Sequence, residues 1–293
     1  MAARSPRHHQ PGRAGTDHDH PRGAAVVTGA GRGLGREIAF LLGSRGHHVV
    51  ATDVDGDLAA ATAAEIGTGA TALRVDVRDR AQVDAARDAA MALGGGLAVW
   101  VNNAGVLVTG PAWEQDEATH RLMLEVNALG TINGTVSAIE AIRHQPARGH
   151  IINIASLAGL TAVPGEAVYA ASKHAVMGLS LSTAADLKLA GVTNIDISCI
   201  CPDGIWTPML HDKLDDPASA LSFSGQLLQP AQVVDAVASV LDRPRLVTTL
   251  PRWRGLVSRV GDAVPALGLR AAPVLVAQGR RAQTKLRSKV VAS

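Results

Sequence analysis

From residue 24 onward the apolar residues of this chain fall into two alternating kinds of segment. Short runs rich in Val, Ile and Thr occupy 24–28, 48–52, 72–75, 98–101, 151–154, 195–200 and 246–250, and β-branching at that length predicts strands. Between them lie longer Ala-rich stretches at 34–45, 58–66, 81–93, 117–143, 167–190 and 231–241, which predict helices. Seven strands alternating with helices call for right-handed crossovers. The expected fold is therefore α/β, a doubly wound parallel seven-stranded sheet with helices on both faces. Composition agrees, since two Phe, four Trp and one Tyr leave Ala, Val, Leu and Gly to build the core. Small residues let helices sit close on a sheet.

Both ends of the chain depart from this pattern. Residues 1–23 are rich in His, Pro, Gly and Arg and lack an apolar run, so they are expected to be disordered and not to act as a secretory signal. His8, His9, His18 and His20 have no acidic or thiol partners in a metal-site spacing, and no metal is expected. Cys199 and Cys201 alternate along one predicted strand, and read as core thiols of a reducing cytoplasm, with a redox or metal role as the alternative. After Leu250 the alternation stops, and 251–293 mixes Leu256, Val257, Val260, Val264, Leu267 and Leu269 with arginines and prolines. Charge divides the same way. Residues 24–241 hold 13 basic against 22 acidic side chains, while 242–293 hold eleven against two.

An acidic body with a basic extension suggests that the extension meets an anionic surface. The chain thus divides into 1–23, a body over 24–250 and an extension over 251–293. No stretch of about 20 residues is free of charge, so no spanning helix is expected. Either the extension folds across the body or a neighbouring subunit and covers the cleft, or it makes a peripheral contact with an anionic membrane. Prolines and scattered arginines promise only a weak amphipathic stripe, which favours the first reading. Nucleic-acid binding is not expected, because no known motif or aromatic interleaving accompanies the charge.

Chemistry concentrates at three places. The first strand runs into Thr28-Gly29-Ala30-Gly31-Arg32-Gly33-Leu34-Gly35 and then a helix. Glycines at such a turn let the backbone approach a pyrophosphate, whose charge meets the free N–H groups of the helix N-terminus. Asp53 ends the second strand, where a carboxylate accepts from adenosine ribose hydroxyls and repels a 2′-phosphate. This argues for NAD over NADP; Arg32, able to contact a phosphate, is the argument for NADP. The third place is Tyr169, the single tyrosine, with Lys173 one helical turn on. A cation held beside a phenol lowers its pKa and suits it to general acid–base work. A solvated helix face is the alternative.

Taken together, these motifs resemble the short-chain dehydrogenase/reductase family over residues 24–250. Thr28–Gly35 matches the cofactor turn of its Rossmann-type domain, Asp76-Val77 the adenine contact, and Asn102-Asn103-Ala104-Gly105 the motif ending the fourth strand. Asn127, Ser156, Tyr169 and Lys173 match the four catalytic positions, with Ser156 preceding Tyr169 by 13 residues.

The resemblance implies an NAD(P)-dependent oxidoreductase interconverting a secondary alcohol and a carbonyl. In it Tyr169 serves as general acid/base, Ser156 holds the reacting oxygen, Lys173 also binds the nicotinamide ribose, and Asn127 holds a water linked to Lys173. Cofactor contacts are expected from Thr28, Gly29, Arg32, Gly33, Leu34, Gly35, Asp53, Asp76, Val77, Asn103, Ala104, Gly105, Tyr169, Lys173, Pro202 and Thr207. Asp203 occupies the usual glycine of the loop after the sixth strand, and is expected to be a solvated or capping carboxylate. Leu107, Leu157, Val163, Trp206, Met209 and Leu210 around the site suggest a lipophilic alcohol or ketone. The family's habits imply a homodimer or homotetramer through the helices at 117–143 and 167–190. A cofactor-binding scaffold without turnover is the competing reading.

Overall fold

A computed structural model describes residues 22–225 and 227–291. Seven strands, β1 (Ala24–Thr28), β2 (His48–Asp53), β3 (Ala70–Arg74), β4 (Leu97–Asn102), β5 (Gly149–Ile154), β6 (Ile195–Pro202) and β7 (Val247–Leu250), pair in the order β3-β2-β1-β4-β5-β6-β7. Every pairing is parallel. This is the doubly wound sheet expected from the alternation. β3 begins two residues earlier than its apolar run, because Ala70 already pairs with Val49. The histidines at 8, 9, 18 and 20, and nearly all of the segment expected to be disordered, lie outside the described residues.

Helices α1 (Gly33–Ser44), α2 (Gly56–Ile66) and α3 (Arg80–Ala92) follow the first three strands, and α4 (Glu117–Leu124) and α5 (Gly130–Ile142) the fourth. After β5 comes the long α6 (Ala167–Leu189), and after β6 the short α7 (Pro208–His211) and α8 (Pro230–Asp242). Side chains set several of the starts, with Asp55, Asp79 and Asp116 accepting from the first free N–H groups of α2, α3 and α4. The sheet is apolar on both faces. One face packs Val27, Val101 and Ile152 against Ile38 and Leu42 of α1 and Val237 and Val240 of α8. The other packs Val26, Trp100 and Ile151 against Ala86 of α3 and Ala138 and Ile142 of α5. Each such buried Ile, Leu or Val contributes about 1.5–3 kcal/mol. Cys199 and Cys201 are buried side by side, Sγ to Sγ 3.9 Å, against Leu157, Val176 and Met177.

One helix differs from expectation. The stretch predicted as a single helix over 117–143 contains a π-helical turn at Glu125–Leu129, between α4 and α5. Asn127 sits in that turn, and its side chain is fully buried. Such a turn re-aims one side chain without breaking the helix.

The extension is helical, which its composition did not suggest. Pro251 precedes α9 (Arg252–Ala263) and Pro265 opens α10 (Pro265–Val291), so both prolines act as start signals, where a missing N–H costs nothing. Pro273 alone lies inside a helix. α10 lies along the loop before α8. Gln283 is buried there and donates to the carbonyls of Lys213 and Asp216 and to Ser219 Oγ, and Arg287 pairs with Asp215. Gly279 allows the close approach, since a Cβ would stand 1.8 Å from the carbonyl oxygen of Ala220. Gly279→Val is therefore expected to lift α10 from residues 217–223 at a cost of about 1–3 kcal/mol. Faster amide exchange confined to 213–223 and 276–287 would show it. No helix among the described residues is long and apolar enough to cross a membrane.

Candidate active site

The strand order changes direction between β1 and β4, and crossovers leaving to opposite faces open a crevice at the carboxyl ends of the strands. A cleft of about 440 Å³ occupies it, walled by the segments that follow β1 to β6.

At one end lies the glycine turn. Gly29 and Gly33 take φ of +65° and +56°, which L side chains rarely adopt. Gly35 packs on the turn itself, where a Cβ would stand 2.0 Å from the carbonyl oxygen of Gly29. Asn103 braces the same turn, its Nδ2 donating to the carbonyls of Thr28 and Gly29. Arg32, at the N-cap of α1, makes no side-chain cap, and the first turn of α1 holds no acidic residue. Its free N–H groups thus remain available to an anion. Asp53 stands at the cleft wall, accepting from the N–H of Gly31 at 2.9 Å and of Asp55 at 3.1 Å. Asp76 and Val77 line the next stretch; the Arg78 guanidinium grips the Asp76 carboxylate and holds its pKa below the usual range. A cradle of close-packed glycines, a helix N-terminus and a carboxylate beyond them fits a dinucleotide.

Of the residues expected at the cofactor, Thr28 is the exception. Its side chain points into the sheet, donating to Val101 O and accepting from the N–H groups of Asn103 and Ala104, and it ties β1 to β4 from behind the cleft. Gly29, Arg32, Gly33, Leu34, Gly35, Ala104, Gly105, Pro202 and Thr207 all line the cleft.

Toward the middle of the cleft Ser156, Tyr169 and Lys173 come together. Ser156 lies two residues beyond the end of β5 and accepts from the N–H of Ala158. Tyr169 and Lys173 share one face of α6, with Nζ 5.7 Å from the ring centroid. The ammonium donates to Ile154 O at 2.9 Å, which anchors it beneath the cleft floor. Asn127 approaches the same point from the opposite side, since a Cβ on Gly105 would lie 3.3 Å from Asn127 Oδ1 and 3.7 Å from Lys173 Nζ.

The protonation states differ from expectation. Burial pushes the Tyr169 phenol up from its ordinary value, the nearby Glu166 adds to that shift, and the Ser156 hydroxyl opposes it. Burial also lowers Lys173 to about 8. Desolvation therefore outweighs any help from the ammonium, and the phenol is protonated at neutral pH. Open cleft still reaches the ring, which is only partly buried. Asn127 Oδ1 accepts from Val106 N–H and its Nδ2 donates to Val106 O and Ser172 Oγ, so the side chain braces the loop after β4 against α6.

Leu107, Leu157, Val163, Met209 and Leu210 line the far end of the cleft, and Trp206 does not. Its ring lies on His211 of α7 instead, 4.1 Å between centroids. Asp203 is not solvated. It extends the strand ladder, its N–H bonding Leu250 O, so no positive φ is needed and the glycine is dispensable. Its carboxylate, nearly buried, lies 2.9 Å from Arg254 Nε of α9, an ion contact whose N–H is not aimed at the oxygen.

Among the cleft residues that carried no sequence signal are Glu166, Arg254 and Ser258. Glu166 is 2% exposed, occupies the N-cap position of α6 without capping it, and accepts instead from Ser222 Oγ. Burial lifts its carboxyl to about 7.

Comparison with known proteins fits this geometry. A sequence profile described as short chain dehydrogenase matches residues 23–218. The 1-deoxy-11-beta-hydroxypentalenate dehydrogenase of Streptomyces exfoliatus is 36% identical over 193 residues, covering 64% of this chain and 69% of that protein. The sex determination protein tasselseed-2 of Zea mays is 37% identical over 192 residues, 64% of this chain and 56% of that protein, so the chain spans little more than half of that relative. Among solved structures, a short chain dehydrogenase/reductase from Burkholderia phymatum in complex with NAD superposes with a TM-score of 0.76 at 28% identity, covering 85% of this chain and 96% of that one. Since the profile spans the sheet from β1 through β6, and the glycine turn, Ser156, Tyr169 and Lys173 within it line one cleft, the chain belongs to the short-chain dehydrogenase/reductase family.

Proposed function

We propose that the chain is an NAD-dependent oxidoreductase that interconverts a secondary alcohol and a carbonyl on a lipophilic substrate. The convergence of Ser156, Tyr169 and Lys173 on one cleft with the glycine cradle carries this reading. A bound nicotinamide dinucleotide would be held by the Gly29–Gly35 turn, Asp53, Asp76 and Lys173, and supplies hydride chemistry.

The protein's own part is proton transfer and orientation. Ser156 Oγ holds the substrate oxygen by a hydrogen bond that strengthens as negative charge develops there. Tyr169, kept neutral by burial, donates its proton to that oxygen in the reducing direction and takes it back in the oxidising one. Lys173 stabilises the phenolate formed in passing, and Asn127 keeps the loop after β4 and α6 at a fixed separation. Leu107, Leu157, Met209 and Leu210 offer apolar contact and exclude water. A relative from Sinomonas cyclohexanicum, 37% identical over 194 residues and matched over 73% of its length, is named for trans-4-hydroxycyclohexanecarboxylate dehydrogenation, which supports a ring-borne hydroxyl as substrate.

Incubation with NAD and a panel of lipophilic cyclic secondary alcohols, followed by NADH absorbance, tests the activity. Silence on the whole panel despite NAD binding would favour a scaffold. Cofactor choice has its own test. Asp53→Asn is expected to raise kcat/KM for NADP relative to NAD by about tenfold or more, since like-charge juxtaposition costs several kcal/mol. An unchanged ratio would assign the preference elsewhere, with Arg32 the first candidate.

The exposed Leu124, Leu129 and Ile132 along α4 and α5, with Leu181 on α6, provide an apolar face for a homodimer or homotetramer through the long helices.

A further inference from the structure

α9 meets the body through one narrow face. Gly255 lies flat on β7, where a Cβ would stand 2.2 Å from Thr249 Oγ1, and Arg254 and Ser258 turn into the cleft. The other face is apolar and bare. Trp253, Leu256, Val257, Val260 and Val264 recur at i, i+3, i+4, i+7 and i+11, and they are between 50% and 67% exposed. Leu269 and Val274 of α10 are also exposed. Exposed apolar residues scattered singly are ordinary, but five on one helical stripe mark a surface that is covered in use. Arg252 and Arg259 lie exposed beside the stripe and have no ion-pair partner among the described residues. Over 252–287 there are eight Lys or Arg and one Asp.

We infer that α9 docks on a bilayer containing anionic lipid, its apolar stripe in the boundary between headgroups and acyl chains and Arg252 and Arg259 on the phosphates. Charge selects this occupant. A second copy meeting the same stripe across a twofold axis would bring arginine onto arginine. The first 21 residues of the chain carry no apolar run and more Arg than Asp, so they offer neither surface the stripe needs. Docking also has a functional consequence: Arg254 and Ser258 place the cleft wall on the docked helix, beside the layer into which lipophilic molecules partition.

The full chain, sedimented with vesicles of phosphatidylcholine containing about 30% phosphatidylglycerol, tests this. Binding is expected to those vesicles and not to phosphatidylcholine alone, and to weaken as salt screens the charges. Leu256→Glu combined with Val260→Glu should lower the bound fraction by about tenfold or more. Both side chains are exposed, so the thermal midpoint and NADH binding should stay as in the wild type. A wild type that remains in the supernatant at low salt, or a double variant that binds as well, overturns the inference. So does a wild-type dimer that the double variant converts to monomer in light scattering, which would assign the stripe to a second copy. Truncation after Leu250 is a poorer test, because it also strips Arg254 from Asp203. The assay needs no turnover, so failure of the dehydrogenase reading would leave its outcome intact.

Discussion

Tyr169→Phe is expected to lower kcat by about 10²- to 10⁴-fold, the range a positioned general acid contributes, while NADH binding and the thermal midpoint stay close to wild type. The variant removes one oxygen and keeps the ring that packs beside Lys173. In the reducing direction the loss is direct, because burial keeps the phenol protonated and therefore ready to donate. Lys173→Ala should differ in kind. It removes the ammonium that bonds Ile154 O and leaves a buried carbonyl without its donor, so it is expected to cost stability as well as rate. Steady-state kinetics with both variants separates the two effects. A Tyr169→Phe protein with more than about a tenth of wild-type kcat would remove Tyr169 from the proton-transfer role, because it falls below the expected contribution of such a group.

Glu166→Gln is expected to stabilise the protein at alkaline pH and leave it little changed in acid. Burial raises the folded-state pKa of Glu166 to about 7 from 4.5; the Ser222 hydroxyl opposes the shift, Asp216 and Asp203 add to it, and Lys213 opposes it. A raised carboxyl binds its proton more tightly when folded. Its stabilising contribution is therefore complete below the unfolded pKa, declines between the two values, and is gone above the folded one. The glutamine variant keeps a neutral side chain throughout. The stability gap between variant and wild type should thus widen by about 2–3 kcal/mol from pH 4 to pH 8, measurable by denaturant unfolding at each pH. Because Tyr169 is the only tyrosine, its ionisation can be followed directly by near-ultraviolet tyrosinate absorbance. Removing the Glu166 charge should move that transition to lower pH. A gap that does not change with pH would mean that Glu166 remains an ordinary ionised carboxylate.

The alternation of branched runs and Ala-rich stretches was sufficient for the parallel sheet, because burial on both faces leaves a strand little choice but a short apolar run. The ordered glycine, Ser, Tyr and Lys motifs were equally legible, since backbone approach to an anion and proton transfer each admit few residue types. Other features belong to the tertiary structure alone. Thr28 sits inside the cofactor motif, yet its hydroxyl serves the sheet, and Trp206 neighbours the cleft in sequence but turns onto His211. Asp203 gains its partner from Arg254, 51 residues later, and Glu166 owes its raised pKa to a wall assembled from distant loops.

The stripe on α9 shows the division most plainly. Its spacing is present in the residues from Trp253 to Val264, but the prolines and scattered arginines around it make it read as weak, and the structure corrects that. Which face a helix turns to the body depends on what it packs against, here Gly255 on Thr249 with Arg254 drawn toward Asp203, and no local pattern encodes that choice. Sequence by itself determined the sheet, the glycine turn and the Ser, Tyr and Lys positions that meet in one cleft, through short-range rules of periodicity and residue chemistry. Solvation was decided only when the chain closed on itself: which carboxylate is buried, which phenol stays protonated and which apolar row is left in water.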